Sequence, residues 1–142
     1  MSTLNFEVKN NPSPEEQKII RDGIIGFNQS IINDKPNCIN IVVKEDENII
    51  GGAIIYQHRD ALYVDVLWCS ENYRKKGIGS KLIAMVDTEA KSKSISKLFV
   101  DTYAFQAQEF YKKHGFKVIG TVPEYLLGHD RIFMRKDLNE TV

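Results

Sequence analysis

Apolar residues along this chain alternate between the two-residue period of a strand and the three- and four-residue steps of a helix. Leu4-Asn5-Phe6-Glu7-Val8 alternates and predicts a first strand, which Asn10-Asn11-Pro12 ends. Ser13-Pro14-Glu15-Glu16 then carries two helix-start signals, a serine three residues before a glutamate and a proline at the first helical position. Ile20, Ile24, Phe27 and Ile31 share one face of that helix. Gly23 and Gly26 each cost about 1 kcal/mol inside a helix, so the pattern predicts a bend or split near Gly26. After the loop Asn33-Asp34-Lys35-Pro36-Asn37 come three strand-like runs, Asn40 to Lys44, Ile49 to Tyr56 and Leu62 to Cys69, joined by polar turns into an antiparallel meander. The middle run is apolar on both faces and so predicts a central strand, with Gly51-Gly52 admitting a closely packed helix.

From Ile78 the period becomes helical, with Leu82, Met85, Val86 and Ala90 on one side. The polar stretch Lys91 to Ser96 follows without a helix-stopping glycine. Lys97 to Thr102 is the next strand, parallel to Leu62 to Cys69 if the helix is its crossover. A shorter helix is predicted over about Phe105 to His114, with Gly115 as its left-handed cap. Phe116 to Val122 and Arg131 to Lys136 then pair as a hairpin across the loop Pro123 to Asp130. The predicted fold is a single α/β domain over residues 1–142, a mixed sheet of about seven strands flanked by helices.

With 42% hydrophobic and 27% charged residues the composition is that of a globular protein, and no apolar run approaches the roughly 20 residues of a membrane span. The first residues lack a basic-then-apolar leader pattern, which favours a cytoplasmic location and no membrane partner. Lys plus Arg and Asp plus Glu both total 19, so no global field gathers nucleic acid. Two cysteines, Cys38 and Cys69, and three histidines at no ligand spacing predict neither a disulfide framework nor a metal site.

Positive charge is instead local. The strand ending Leu67-Trp68-Cys69 leads to Arg74-Lys75-Lys76-Gly77-Ile78-Gly79-Ser80 and straight into the helix. A helix N-terminus has N–H groups without intrahelical partners and the positive end of the macrodipole, and glycines let a phosphate approach the backbone. The spacing excludes a Walker loop, and Leu82 stands where a dinucleotide fingerprint needs its third glycine. What remains resembles the [RQ]-x-x-G-x-[GA] acyl-CoA loop of the GCN5-related N-acetyltransferase (GNAT) superfamily. The resemblance continues in order through Leu67-x-Cys69, Tyr73 and Ala107-x-x-Phe110-Tyr111-Lys112-Lys113-His114-Gly115-Phe116, and covers Ile49 to about Leu138.

The resemblance implies an acyltransferase that takes acetyl-CoA as donor and moves its acetyl group to a primary amine of a small molecule or peptide by direct attack. It also implies that the strands holding Val66 and Val100 run parallel but splay apart, the cofactor's pantetheine entering the gap like an added strand. Cofactor contacts would fall on Leu67, Trp68, Cys69, Arg74, Lys75, Lys76, Gly77, Ile78, Gly79, Ser80, Gln106 and Tyr111, with a main-chain N–H near Leu67-Trp68-Cys69 serving the oxyanion. Tyr111 matches the family's general acid for the leaving thiolate. Asp65, a carboxylate in the strand leading to the cofactor site, is the first candidate for the base, with Asp101, Glu71, Asp130 and His129 as weaker alternatives; the glutamate that some members carry two positions earlier is Tyr63 here, so bulk water or a carbonyl-lined water chain could replace a direct carboxylate. Ala104 replaces the asparagine many relatives carry, leaving Gln106 either to compensate or to face solvent. A non-catalytic acyl-CoA-binding module of the same fold is the alternative reading. The acceptor is not legible; Tyr125, Leu126 and Leu127 suggest a partly apolar entrance or a homodimer contact.

Overall fold

The computed structural model describes residues 2–138. Residues up to Lys35 form one compact unit and residues from Pro36 another. The first unit is built on helix α1 (Pro14–Ile32), whose N-cap Ser13 accepts the Glu16 N–H and whose first turn opens on Pro14. Asn33 closes it in left-handed backbone, its N–H on the Gln29 carbonyl. The helix runs unbroken through Gly23 and Gly26, so the split expected near Gly26 does not occur. Leu4 to Val8 is not a strand. Alternation selects a face but supplies no partner ladder, and the segment is tied to α1 instead through Lys9 and Glu16, 2.7 Å apart.

The second unit contains β1 (Asn37–Glu45), β2 (Asn48–His58), β3 (Ala61–Cys69), a single 3-10 turn (Glu71–Tyr73) and α2 (Ile78–Ser92). They are followed by β4 (Lys97–Tyr103), α3 (Gln108–Lys113), β5 (Lys117–Leu126) and β6 (His129–Asp137). The strands make one mixed six-stranded sheet in the order β1-β2-β3-β4-β6-β5, one fewer than about seven because Leu4 to Val8 stays outside it. All neighbours are antiparallel except β3 and β4, which α2 connects as a crossover. Leu62 and Val64 of β3, Leu98 and Val100 of β4, Ile132 and Met134 of β6, Leu82 and Val86 of α2, and Tyr111 and Phe116 are buried together. That core seats α2 and α3 against the sheet.

Three boundaries differ from the sequence pattern for identifiable reasons. α2 stops without a glycine because Ser94 itself takes the left-handed conformation (φ 59°), while the Ile95 N–H reaches back to Ala90 O at 2.8 Å and the Ile95 side chain is buried. α3 begins at Gln108 rather than Phe105. Residues 103–106 close a turn through Gln106 N–H to Tyr103 O, and Thr102 Oγ1 accepts the Ala107 N–H. The last hairpin extends through the expected loop, with Pro123 tolerated because β5 is an edge strand and its register slips between Val122 and Leu126.

Gly51 and Gly52 accommodate strand backbone, not a helix. A Cβ on Gly52 would lie 2.4 Å from Ile41 O of β1, and one on Gly51 would lie 2.9 Å from Trp68 O of β3. Gly52→Ala is therefore expected to lower stability in denaturant by about 1–3 kcal/mol, the usual cost of forcing atoms into a packed region. Gly120→Ala, where a Cβ meets nothing within 4 Å, stays within about 0.5 kcal/mol of the parent. Equal unfolding midpoints for the two variants would contradict the close approach.

Candidate active site

The functional region begins where β3 and β4 stop pairing. Their parallel ladder runs only from Ala61↔Lys97 to Val64↔Val100, although β3 continues to Cys69 and β4 to Tyr103. On the other side of β3, Ile55 pairs with Val64 and Ile54 with Val66, so Asp65 is an extra, unpaired residue. This β-bulge turns the strand at the point of separation and shifts its alternation: Val64 is buried, whereas Asp65 and Val66 are exposed. Beyond Val64, β3 has β2 on one edge and an open gap on the other, leaving backbone N–H and C=O groups there for another partner.

Two connected clefts follow the gap. The first, about 270 Å³ and the candidate reacting end, is lined by Asp65, Val66, Leu67, Val100, Asp101, Thr102, Gln106, Ala107, Tyr111 and Arg131. Leu67 and Ala107 also line the second cleft, about 480 Å³, which runs on to Cys69, Arg74, Lys75, Gly77, Ile78, Gly79 and Ser80, with Phe110 and Lys113 opposite. The structure thus brings together most of the residues singled out from the sequence. Trp68 is an exception, since its side chain lines a depression with Ile49, Val66 and the Gly51-Gly52 backbone. Lys76 is another, its Nζ lying 5.4 Å from the Tyr73 ring.

At the loop, Lys75 and Gly77 take left-handed backbone (φ 64° and 80°) and deliver the chain into α2. Gly77 is its N-cap, with no side-chain cap and no acidic residue in the first turn, in contrast to Glu15 and Glu16 in α1. The amide groups entering α2 therefore keep their capacity for an anion. Arg74 is partly committed elsewhere, its Nε donating to Cys69 O at 3.2 Å. Gly79 has a packing role as well. A Cβ there would come 3.1 Å from the Phe110 ring, so its small size lets α2 and α3 meet. Ser80 Oγ lies 3.0 Å from His114 Nε2.

Asp101, the first β4 residue beyond the ladder, organises the reacting end. Its Oδ2 accepts from the Tyr63 hydroxyl at 2.8 Å and its Oδ1 from the Arg131 guanidinium. Arg131 lies over the Tyr103 ring, 4.3 Å from its centroid. Burial, then the hydrogen bond to Asp101, pushes the Tyr63 hydroxyl well above its ordinary value. Tyr111 is buried on α3 and raised to about 12, first by burial and then by the Asp101 charge. Gln106 Oε1 is occupied by the Tyr103 N–H at 2.8 Å and the Thr102 hydroxyl at 3.2 Å, so this side chain holds the turn before α3. Sequence patterning missed Arg131, whose role depends on the β4–β6 register placing it opposite Tyr103. It also missed the bulge at Asp65.

Comparison with known proteins identifies the family. The model of the acetyltransferase (GNAT) family matches residues 4–116. Acetyltransferase Atu2258 of Agrobacterium fabrum is 30% identical over 136 residues, covering 94% of this chain and 98% of that protein. The blasticidin-S acetyltransferase of Streptomyces morookaense is 30% identical over 95 residues, 66% of this chain and 70% of that one. A crystal structure from Agrobacterium tumefaciens superposes with a TM-score of 0.85 at 28% identity, covering 94% of this chain and 99% of the other. The chain belongs to the GNAT acetyltransferase family, whose acyl donor is acetyl-CoA. No helix among the described residues is long and apolar enough to cross a membrane.

The raised Tyr111 pKa gives a pH-dependent stability. Between about 10 and 12 the folded state retains the phenolic proton that the unfolded chain releases. The associated stabilisation is complete below pH 10 and is lost as pH rises through that window. Tyr111→Phe is expected to show a flatter decline of unfolding free energy with alkaline pH than the parent; parallel declines would refute the shift.

Proposed function

We propose that this enzyme transfers the acetyl group of acetyl-CoA to the primary amine of a small molecule, with residues 1–142 acting as one acetyltransferase domain. The observation that carries the reading is the continuity of the groove. A basic, glycine-bearing helix start lies at one end, unpaired strand backbone in the middle, and Asp65 and Tyr111 at the other. Pyrophosphate binds the amides from Lys75 to Ser80, and pantetheine pairs along the open edge of β3. A relative named as a blasticidin-S acetyltransferase, and a cleft in which the Asp65 carboxylate is exposed, support a basic small molecule over a peptide. A donor kept inside cells and two free cysteines support action in the cytoplasm.

In the reaction Asp65 takes a proton from the acceptor's ammonium, directly or through water, and the freed amine attacks the thioester carbonyl. The bulge suits it to this task by directing an exposed carboxylate to the point where the strands part. A β3 main-chain N–H near Leu67 to Cys69 stabilises the developing negative charge on the carbonyl oxygen. Tyr111 donates a hydrogen bond to the departing sulfur. With its pKa at about 12, and an ordinary thiol near 8.5, complete transfer to a free thiolate is uphill, so Tyr111 acts chiefly by holding its proton against the sulfur while the bond breaks. Tyr63 occupies the position of the family glutamate but is committed to Asp101.

Kinetics with a panel of amines, read by release of the CoA thiol, test these assignments. Asp65→Asn is expected to lower the rate at neutral pH by about 10² to 10⁴, with recovery as pH approaches the amine's own value near 10.4. Tyr111→Phe is expected to lower turnover at every pH below about 11 while donor affinity stays near the parent's. An unchanged pH–rate profile for Asp65→Asn would leave solvent as the proton acceptor.

A further inference from the structure

Beside the reacting end stands a cluster of rings that the transfer chemistry does not use. Tyr103 and Phe105 stack with centroids 5.1 Å apart and planes within 8°. His129 meets Phe105 edge-on at 4.7 Å, and Tyr125 lies 6.0 Å from Tyr103. Arg131 joins the cluster to the cleft: it binds Asp101, lines the reacting end, and lies against both Tyr103 and Tyr125. Tyr103 is explained by that arrangement, since it braces the arginine that braces Asp101. Phe105 and Tyr125 are not. They remain 59% and 55% exposed, a large apolar area to leave in water around the Tyr103–Arg131 pair that reaches the cleft.

These rings are also held in place before any ligand arrives. The Ala104 N–H bonds Asp130 O at 3.0 Å, and Gln106 closes the turn on Tyr103 from both its N–H and its side chain, which fixes Phe105 between them. The Glu124 N–H bonds Asp130 Oδ1 at 3.0 Å, within the three-residue slip that carries Tyr125. Rigid rings lose little entropy on contact, so such a surface is ready to stack. Resting on the acetyl-transfer reading above, we propose that Phe105 and Tyr125, backed by Tyr103 and Arg131, form a stacking wall for a planar ring carried by the acceptor amine. The wall selects amines with an aromatic or heteroaromatic ring a short chain away from the nitrogen. An electron-poor ring gains further from the tyrosine face, and Asp65, whose charge no arginine neutralises, attracts the ammonium end.

The test compares phenylpropylamine with cyclohexylpropylamine, which match in length and basicity but differ in ring type. The parent enzyme is expected to prefer the phenyl amine by about tenfold in kcat/KM, within the range of ring stacking on a protein aromatic, with the difference in KM. In the double variant Phe105→Leu, Tyr125→Leu the ratio falls toward one, while Leu127→Ala at the hairpin tip keeps the parent ratio. A parent ratio near one, or a double variant that retains the preference, overturns the wall. A lower molecular mass for the double variant in sedimentation, with the ratio intact, would mark the rings as a contact between copies and also overturn it. If neither amine is acetylated by the parent while other amines are, the wall alone falls; if no amine is acetylated, the transfer reading falls with it.

Discussion

The active region depends on a single failure of pairing. Four residue pairs join β3 to β4, and then two nearby causes part the strands. On β3 the extra residue Asp65 breaks the register with β2 and redirects the chain. On β4 the next residue, Asp101, is drawn to Arg131 of β6, whose register with β4 remains continuous from Lys97 to Tyr103. The gap exists because each strand stays paired on its outer side. A buried edge of unpaired amides would be costly, so the gap must stay wet or receive a ligand with amides of its own.

Charge is arranged along this groove with opposite signs at its ends. At α2 the first turn carries no acidic residue, and Arg74 and Lys75 line the same cleft. At the other end Asp65 and Asp101 face the cleft, with only Asp101 neutralised by an arginine. In the proposed transfer, an anionic donor and a cationic acceptor approach a common centre from separate directions. Tyr111 lines the same cleft as Asp65 and Asp101, and burial and Asp101 keep its phenol neutral to higher pH than an ordinary tyrosine.

Much of this was legible in the chain because it rests on local rules. The strand-to-helix transition at Gly77, the left-handed cap at Gly115 and the meander of β1 to β3 follow from spacing and residue type. The errors share a different cause, namely a neighbour that no local pattern reveals. Leu4 to Val8 alternates but has no ladder; Gly51 and Gly52 face strand backbone, not a helix. Ser94 takes a glycine's conformation because burying Ile95 and closing the bond to Ala90 offset the strain. Asp65 was singled out for its position on the strand, but the bulge that gives it a distinct direction is a property of pairing. Arg131 read as an ordinary strand residue because its partners, Asp101 and Tyr103, are distant in sequence.

Hydrogen exchange of backbone amides with and without acetyl-CoA tests the central claim most directly, because the claim concerns which amides the donor occupies. Binding is predicted to slow exchange at two separated segments together, residues 65–69 on the open edge of β3 and residues 75–80 at the start of α2, with little change in β1 or β5. Protection confined to the α2 start, or located outside both segments, would contradict a donor lying along the gap between β3 and β4.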